Sequence, residues 1–108
     1  MVMIDSKSDA NLLKAFKDNQ KVLTAIGDET RQAIIITLIQ GTRTPGMRVG
    51  EITERTNLSR PAVSHQLKIL KEAEIINVRK KGTMNFYYLD SISKLKKLKF
   101  LIEFLLFS

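Results

Sequence analysis

The chain has no cysteine among its 108 residues. That absence excludes disulfides, thiolate metal sites, sulfur-based redox sensing and cysteine nucleophiles. Histidine is nearly missing too, since His65 is the only one. With one imidazole and scattered carboxylates there is no convergent acid–base or nucleophilic constellation, so neither an enzyme nor a cofactor is expected. As a metal ligand His65 would stand alone. The opening MVMIDSKSD holds no apolar run of signal-peptide length, and no segment is long enough to span a bilayer. A soluble cytoplasmic protein is the expectation. Two prolines, five glycines, 44% hydrophobic and 27% charged residues fall in the ordinary globular range. The length suits one compact domain, 1–108, with one core.

What is abundant is positive charge, and it is concentrated. The net charge is +7. Residues 1–58 carry only a small excess of it, whereas 59–99 hold Arg60, Lys68, Lys71, Arg79, Lys80, Lys81, Lys94, Lys96, Lys97 and Lys99 against Glu72, Glu74 and Asp90. A basic half favours an anionic partner such as nucleic acid or membrane.

No internal repeat or low-complexity tract interrupts the chain. Over 9–26 the residues Leu12, Ala15, Phe16, Leu23 and Ile26 fall on one helical face. After Gly27, Asp28 is suited to cap the next helix and Glu29 to sit at its positive end. That helix, TRQAIIITLIQ, is apolar nearly all round and is expected to be the central buried one, ending at Gly41. GTRTPGM (41–47) reads as a loop, and 47–49 as a short strand. A short helix over 50–56, the turn NLS, and a second helix capped by Ser59 with Pro61 in its first turn then follow. Ile52, Leu58, Val63, Leu67 and Leu70 are their shared apolar contacts, so 50–76 has helix-turn-helix spacing.

After Ile76 the period changes from 3.6 to 2. INVRKKGTMNFYYL pairs Ile76, Val78 and Lys80 on one face, and Phe86 with Tyr88 on the return strand, around a turn at 81–83. A hairpin over 76–89, directly behind a helix-turn-helix, is a wing. The last segment, 91–107, is a helix with two apolar sides: a stripe of Ile92, Leu95, Leu98, Leu101, Ile102, Leu105 and Leu106, and Phe100, Phe104 and Phe107 opposite. A chain this small cannot bury such a helix alone, and its own copy in a two-fold dimer is the simplest cover. The expected fold is therefore mostly α with a small β-hairpin wing: a dimeric winged helix-turn-helix.

In that setting the polar face of SRPAVSHQLKILKEAEII (59–76) acquires a use. The second helix of a helix-turn-helix enters the major groove. Arg60 offers a bidentate fork to guanine, Ser64 and His65 donate or accept, and Lys68 is placed for phosphate. Lys71 reads rather as solvated. Arg79, Lys80 and Lys81, taken as the hairpin tip, would reach the flanking backbone or a minor groove. The candidate DNA-binding set is Ser59, Arg60, Pro61, Ser64, His65, Lys68, Arg79, Lys80 and Lys81.

Three stretches, LTAIGDETRQAIIITLIQG, VGEITERTNLSRPAVSHQLKILKEAEII and VRKKGTMNFYYL, together resemble the ArsR-type (ArsR/SmtB) winged-helix repressors over about 22–89. The resemblance implies a homodimeric regulator that represses by covering double-stranded DNA at an imperfect palindrome. By position, Arg60, Pro61, Ser64 and His65 match the family's base-reading stretch, and Arg79, Lys80 and Lys81 match its wing. It also implies that the first and last helices form the dimer interface, here through Leu12, Phe16, Leu98, Leu101, Ile102 and Leu105. Departures bear on sensing. Metal-sensing members carry Cys-x-Cys where MRVGEIT places Arg48 and Gly50, and others bind zinc through Asp and His on a last helix that here has no His. No metal site is expected and the inducer is unknown. The family's glycine after the recognition helix is Glu74, its Pro in the DPTR motif is Glu29, and the 41–47 loop is longer than usual. Two other readings stay open: a winged helix used as a protein-interaction adaptor, and a membrane-surface role for the basic, apolar KLKKLKFLIEFLLF.

Overall fold

The computed structural model describes residues 7–90 and 92–107. Readings placed on the first six residues and on residue 91 lie outside them. Six helices and one hairpin succeed each other: α1 (Lys7–Asp18), α2 (Gln20–Ile26), α3 (Glu29–Gln40), α4 (Val49–Thr56), α5 (Arg60–Glu72), β1 (Ile76–Lys81), β2 (Met84–Leu89) and α6 (Ile92–Leu106).

The single helix expected over 9–26 is divided at Asn19. Asparagine disfavours helix interiors because its short amide competes for backbone partners. Here Nδ2 donates to the carbonyls of Ala15 (2.7 Å) and of Lys97 (3.2 Å), so a buried side chain ties the α1–α2 junction to α6. Asp28 caps α3 as expected, its Oδ2 accepting from the Arg31 N–H at 3.0 Å. Arg31 was not singled out by the sequence, yet it joins three helices. Its Nε donates to Ala25 O (2.7 Å), its Nη2 to Thr24 O (3.1 Å) and its Nη1 to Gln66 Oε1 (3.0 Å). A cation at the carbonyl end of α2 also suits that helix's dipole.

One expectation for α3 needs correcting. Ile34 and Leu38 are buried, but Ile36 and Ile39 are 53% and 59% exposed. The helices and hairpin packed on α3 (α2, α4, α5 and β2) cover one side of it and leave the other open.

At the helix-turn-helix the local signals work as read. The Glu51 carboxylate accepts from the Arg48 N–H (3.2 Å) at the start of α4. Asn57 takes the left-handed conformation, φ 56°, that ends the helix, and Ser59 Oγ accepts from the Ala62 N–H (3.2 Å) to start α5. Ile52, Val63, Leu67 and Leu70 are fully buried between the two helices and α3, and Leu58 packs against them. Glu74, standing where the family has glycine, adopts φ 60°. The Ile75 N–H reaches Leu70 O (3.0 Å) and the Glu74 N–H reaches Lys71 O (2.9 Å), a Schellman ending built on a non-glycine residue. Lys94 on α6 meets the Glu74 carboxylate at 2.8 Å and, by hydrogen bond and charge, holds that carboxyl below its ordinary value.

The hairpin pairs Ile76 with Leu89, Val78 with Tyr87, Arg79 with Phe86 and Lys81 with Met84, and Gly82 turns it at φ 62°. Ile76, Tyr87 and Leu89 therefore face the core, while Arg79, Phe86 and Tyr88 share the outer face. The strand expected over 47–49 reduces to Met47, which exchanges two 2.7 Å backbone bonds with Tyr87; Val49 already belongs to α4.

Among the described side chains of α6, Leu98 and Leu101 are the buried ones, at 8% and 1% exposure, against the chain's own core. They were expected at a dimer interface, and they are not free to reach one, because the monomer already uses that side of the helix. Leu12 likewise packs partly on the core, whereas Phe16 (38%), Ile102 (44%) and Leu105 (55%) stay exposed. The molecule measures 52 × 24 × 22 Å, with a radius of gyration of 16.5 Å. A compact chain of this length would have about 13 Å.

Candidate nucleic-acid interface

The proposed reading surface is one side of α5. Val63, Leu67 and Leu70 turn inward, and the 3.6-residue period then forces Arg60, Pro61, Ser64, His65 and Lys68 outward, where all five are exposed. Ser59 is spent on the cap, so its hydroxyl positions α5 through the Ala62 amide rather than standing free. The first turn of α5 also offers the positive end of the helix dipole to an anion.

Arg60 leans towards the start of α4, its Nη1 close to the position a Gly50 side chain would occupy (3.9 Å). Arg60, Arg48, Val49, Gly50 and Glu51 line one shallow groove with Thr83 and Asn85 from the hairpin. The structure therefore joins α4, α5 and the wing into a single surface. Arg48, Thr83 and Asn85 were not among the residues singled out, because nothing in their local pattern distinguishes them. Only the packing of the hairpin beside α4 does.

Lys80 and Lys81 are exposed at the end of β1, directly before the Gly82 turn. Among the described residues the ion pairs are Arg31–Asp28 and Lys94–Glu74, so Arg60, Lys68, Lys80 and Lys81 are held by no carboxylate. Arg79 departs from the expectation. It lies two residue pairs before the turn, half-buried, with Nη1 donating to Arg43 O and Pro45 O at 2.8 Å each, and its guanidinium sits 3.6 Å from the Tyr88 ring centroid. The alternation of the strand turns it towards loop 41–47, away from the tip where it was expected.

For other chemistry the arrangement offers little. Among the described residues no three His, Asp or Glu side chains gather at metal-binding distance, and no helix is long and apolar enough to cross a membrane.

Comparison with known proteins gives a consistent result. A family profile described as "Bacterial regulatory protein, arsR family" matches residues 28–78. The transcriptional repressor SdpR of Bacillus subtilis is 36% identical over 84 residues, which is 78% of this chain and 89% of that protein. Among solved structures, an ArsR-like transcriptional regulator from Rhodococcus sp. RHA1 superposes with a TM-score of 0.73 at 21% identity, over 85% of this chain and 81% of that one. A homodimeric winged helix-turn-helix DNA-binding domain from Mycobacterium bovis, a possible ArsR-family regulator, superposes with a TM-score of 0.60 at 22% identity, over 94% and 88%. The last two speak to the fold.

Proposed function

We propose a mechanism from one premise: the chain belongs to the arsR family of bacterial regulatory proteins and is a DNA-binding transcriptional regulator. It acts as a homodimeric repressor. Two α5 helices enter successive major grooves of an imperfect palindrome, about 34 Å apart, and the bound protein blocks access to the DNA. Arg60, Ser64 and His65 read base edges, while Lys68, Lys80 and Lys81 neutralise phosphates and set the register.

The observation that carries this reading is the row of exposed polar side chains on α5, whose first member, Arg60, shares a groove with Thr83 and Asn85 of the hairpin. The dimer is supported by the apolar side chains that α1 and α6 leave outside: Leu13, Phe16, Leu95, Ile102 and Leu106. It is supported also by the elongated shape, which one copy does not fold back upon. A membrane-surface role is less well served, because α6 spends Leu98 and Leu101 on the core and cannot offer its whole stripe to lipid. The cytoplasm is the compartment in which such a protein meets its operator.

The test is fluorescence anisotropy with a labelled duplex from upstream of the protein's own coding sequence, against an unrelated duplex, between about 50 and 200 mM salt. Tight, steeply salt-dependent binding with preference for the upstream duplex is expected. Absence of binding to either duplex at the lowest salt would remove the DNA role and leave the adaptor reading.

A further inference from the structure

The wing is not a free hairpin. Besides the two Arg79 bonds to the carbonyls of Arg43 and Pro45, Met47 and Tyr87 exchange backbone bonds at 2.7 Å. Gly46, at φ 117°, lies so near β2 that a Cβ there would stand 2.6 Å from Tyr87 O. Loop 41–47 leads straight into α4, and α4 packs on α5. A continuous mechanical path thus runs from the outer face of β1 through the loop to the two helices of the helix-turn-helix. Two strands alone make a marginal ribbon, so whatever ties them down decides where their turn points. A planar guanidinium bonding two carbonyls while it stacks on an aromatic ring does what a lysine ammonium does not.

We propose that Arg79 is a positioning residue for DNA binding: it clamps the wing to loop 41–47, holding Lys80 and Lys81 in register with Arg60, and meets no phosphate itself. The proposal rests on the DNA-binding reading above. It separates three neighbouring basic residues into one that sets geometry and two that carry the contact.

Arg79→Ala and Arg79→Lys test it, each in the wild-type background and combined with Lys80→Ala and Lys81→Ala. Binding to a labelled duplex is followed through a salt series, and amide exchange at Met47 and Tyr87 is measured on the free proteins. One phosphate contact contributes about 0.9 to the slope of log K against log salt. Arg79→Ala is expected to lower affinity on the order of tenfold and to reduce the slope by more than one contact's worth, because both lysines lose register. Arg79→Lys should do no better despite keeping the charge, and both substitutions should speed exchange at the two amides. Where Lys80 and Lys81 are already alanine, changing Arg79 should add little.

Arg79→Lys with wild-type affinity and slope would overturn the proposal. So would a loss of one contact's worth that is equal in both backgrounds, since either result makes Arg79 a direct phosphate ligand. Unchanged amide exchange in both variants would remove the clamp. A wild-type protein that binds no duplex at the lowest salt overturns the DNA reading and the positioning role with it, and the exchange data keep that result distinct from loss of the clamp.

Discussion

Helices α5 and α6 are similar in length and both rich in lysine, but they leave opposite residues outside. α5 buries Val63, Leu67 and Leu70 and exposes Arg60, Ser64, His65 and Lys68. α6 buries Leu98 and Leu101 and still exposes Leu95, Phe100, Ile102 and Leu106. In α5 the apolar content equals what the core can take, so the excess is charge, which costs nothing in water and waits for an anion. In α6 apolar content exceeds what one small core can cover, and the excess is a surface that water disfavours. One helix thus leaves charge outside, as the proposed DNA contact requires; the other leaves apolar surface outside, as the proposed dimer requires.

Four substitutions break or sharpen this contrast. Leu101→Ala should have the largest effect, destabilising the fold by about 2–5 kcal/mol in a denaturant titration, because it empties a core site. A loss below about 1 kcal/mol would place Leu101 outside the core. Ile102→Glu, one residue further and on the outer side, should leave the fold intact and weaken the dimer by on the order of 2 kcal/mol for each copy. Sedimentation would then show monomer where the wild type is dimer, and an unchanged mass would disprove the interface. Arg60→Ala should cost about 1–3 kcal/mol of operator binding and relax one base position, whereas Lys80→Ala should weaken all sequences equally. If both lose only non-specific affinity, Arg60 reads no base.

The smallest effect expected is at the end of α5. Glu74 occupies a left-handed position that glycine takes without strain, and Lys94 offsets part of that cost. Its carboxyl is held below the ordinary carboxylate value, so the pairing contributes fully above that range and is lost as pH falls through the lowered one. Glu74→Gly should therefore raise the melting temperature more at acid pH than at neutral pH. A gain that does not vary with pH would mean that the ion pair contributes nothing.

Much of the fold was legible because its signals are local. Asp28 and Ser59 as caps, Pro61 in a first turn and the change from period 3.6 to 2 after Ile76 each depend on a few neighbouring residues. The exposed row on α5 follows from the same periodicity once Val63, Leu67 and Leu70 are taken as core. The division at Asn19 was not legible, because the carbonyl of Lys97 that its amide meets lies 78 residues away. Nor were the partners of Arg79 accessible: as one of three consecutive basic residues it reads as a wing tip, and the carbonyls of Arg43 and Pro45 that it meets lie more than thirty residues earlier in the chain.

The sequence by itself determined which residues share a face: the basic row of α5, the wing, and the excess of apolar side chains on α6. Only the tertiary structure decided which part of the broad leucine stripe of α6 meets the core, taking Leu98 and Leu101 and leaving Ile102 out. It also decided which of three adjacent cations is tied to carbonyls and which two stay free of carboxylates. The physical reason is common to both. Periodicity constrains the direction of a side chain relative to its own helix or strand, but what lies in that direction is supplied by elements distant in the chain.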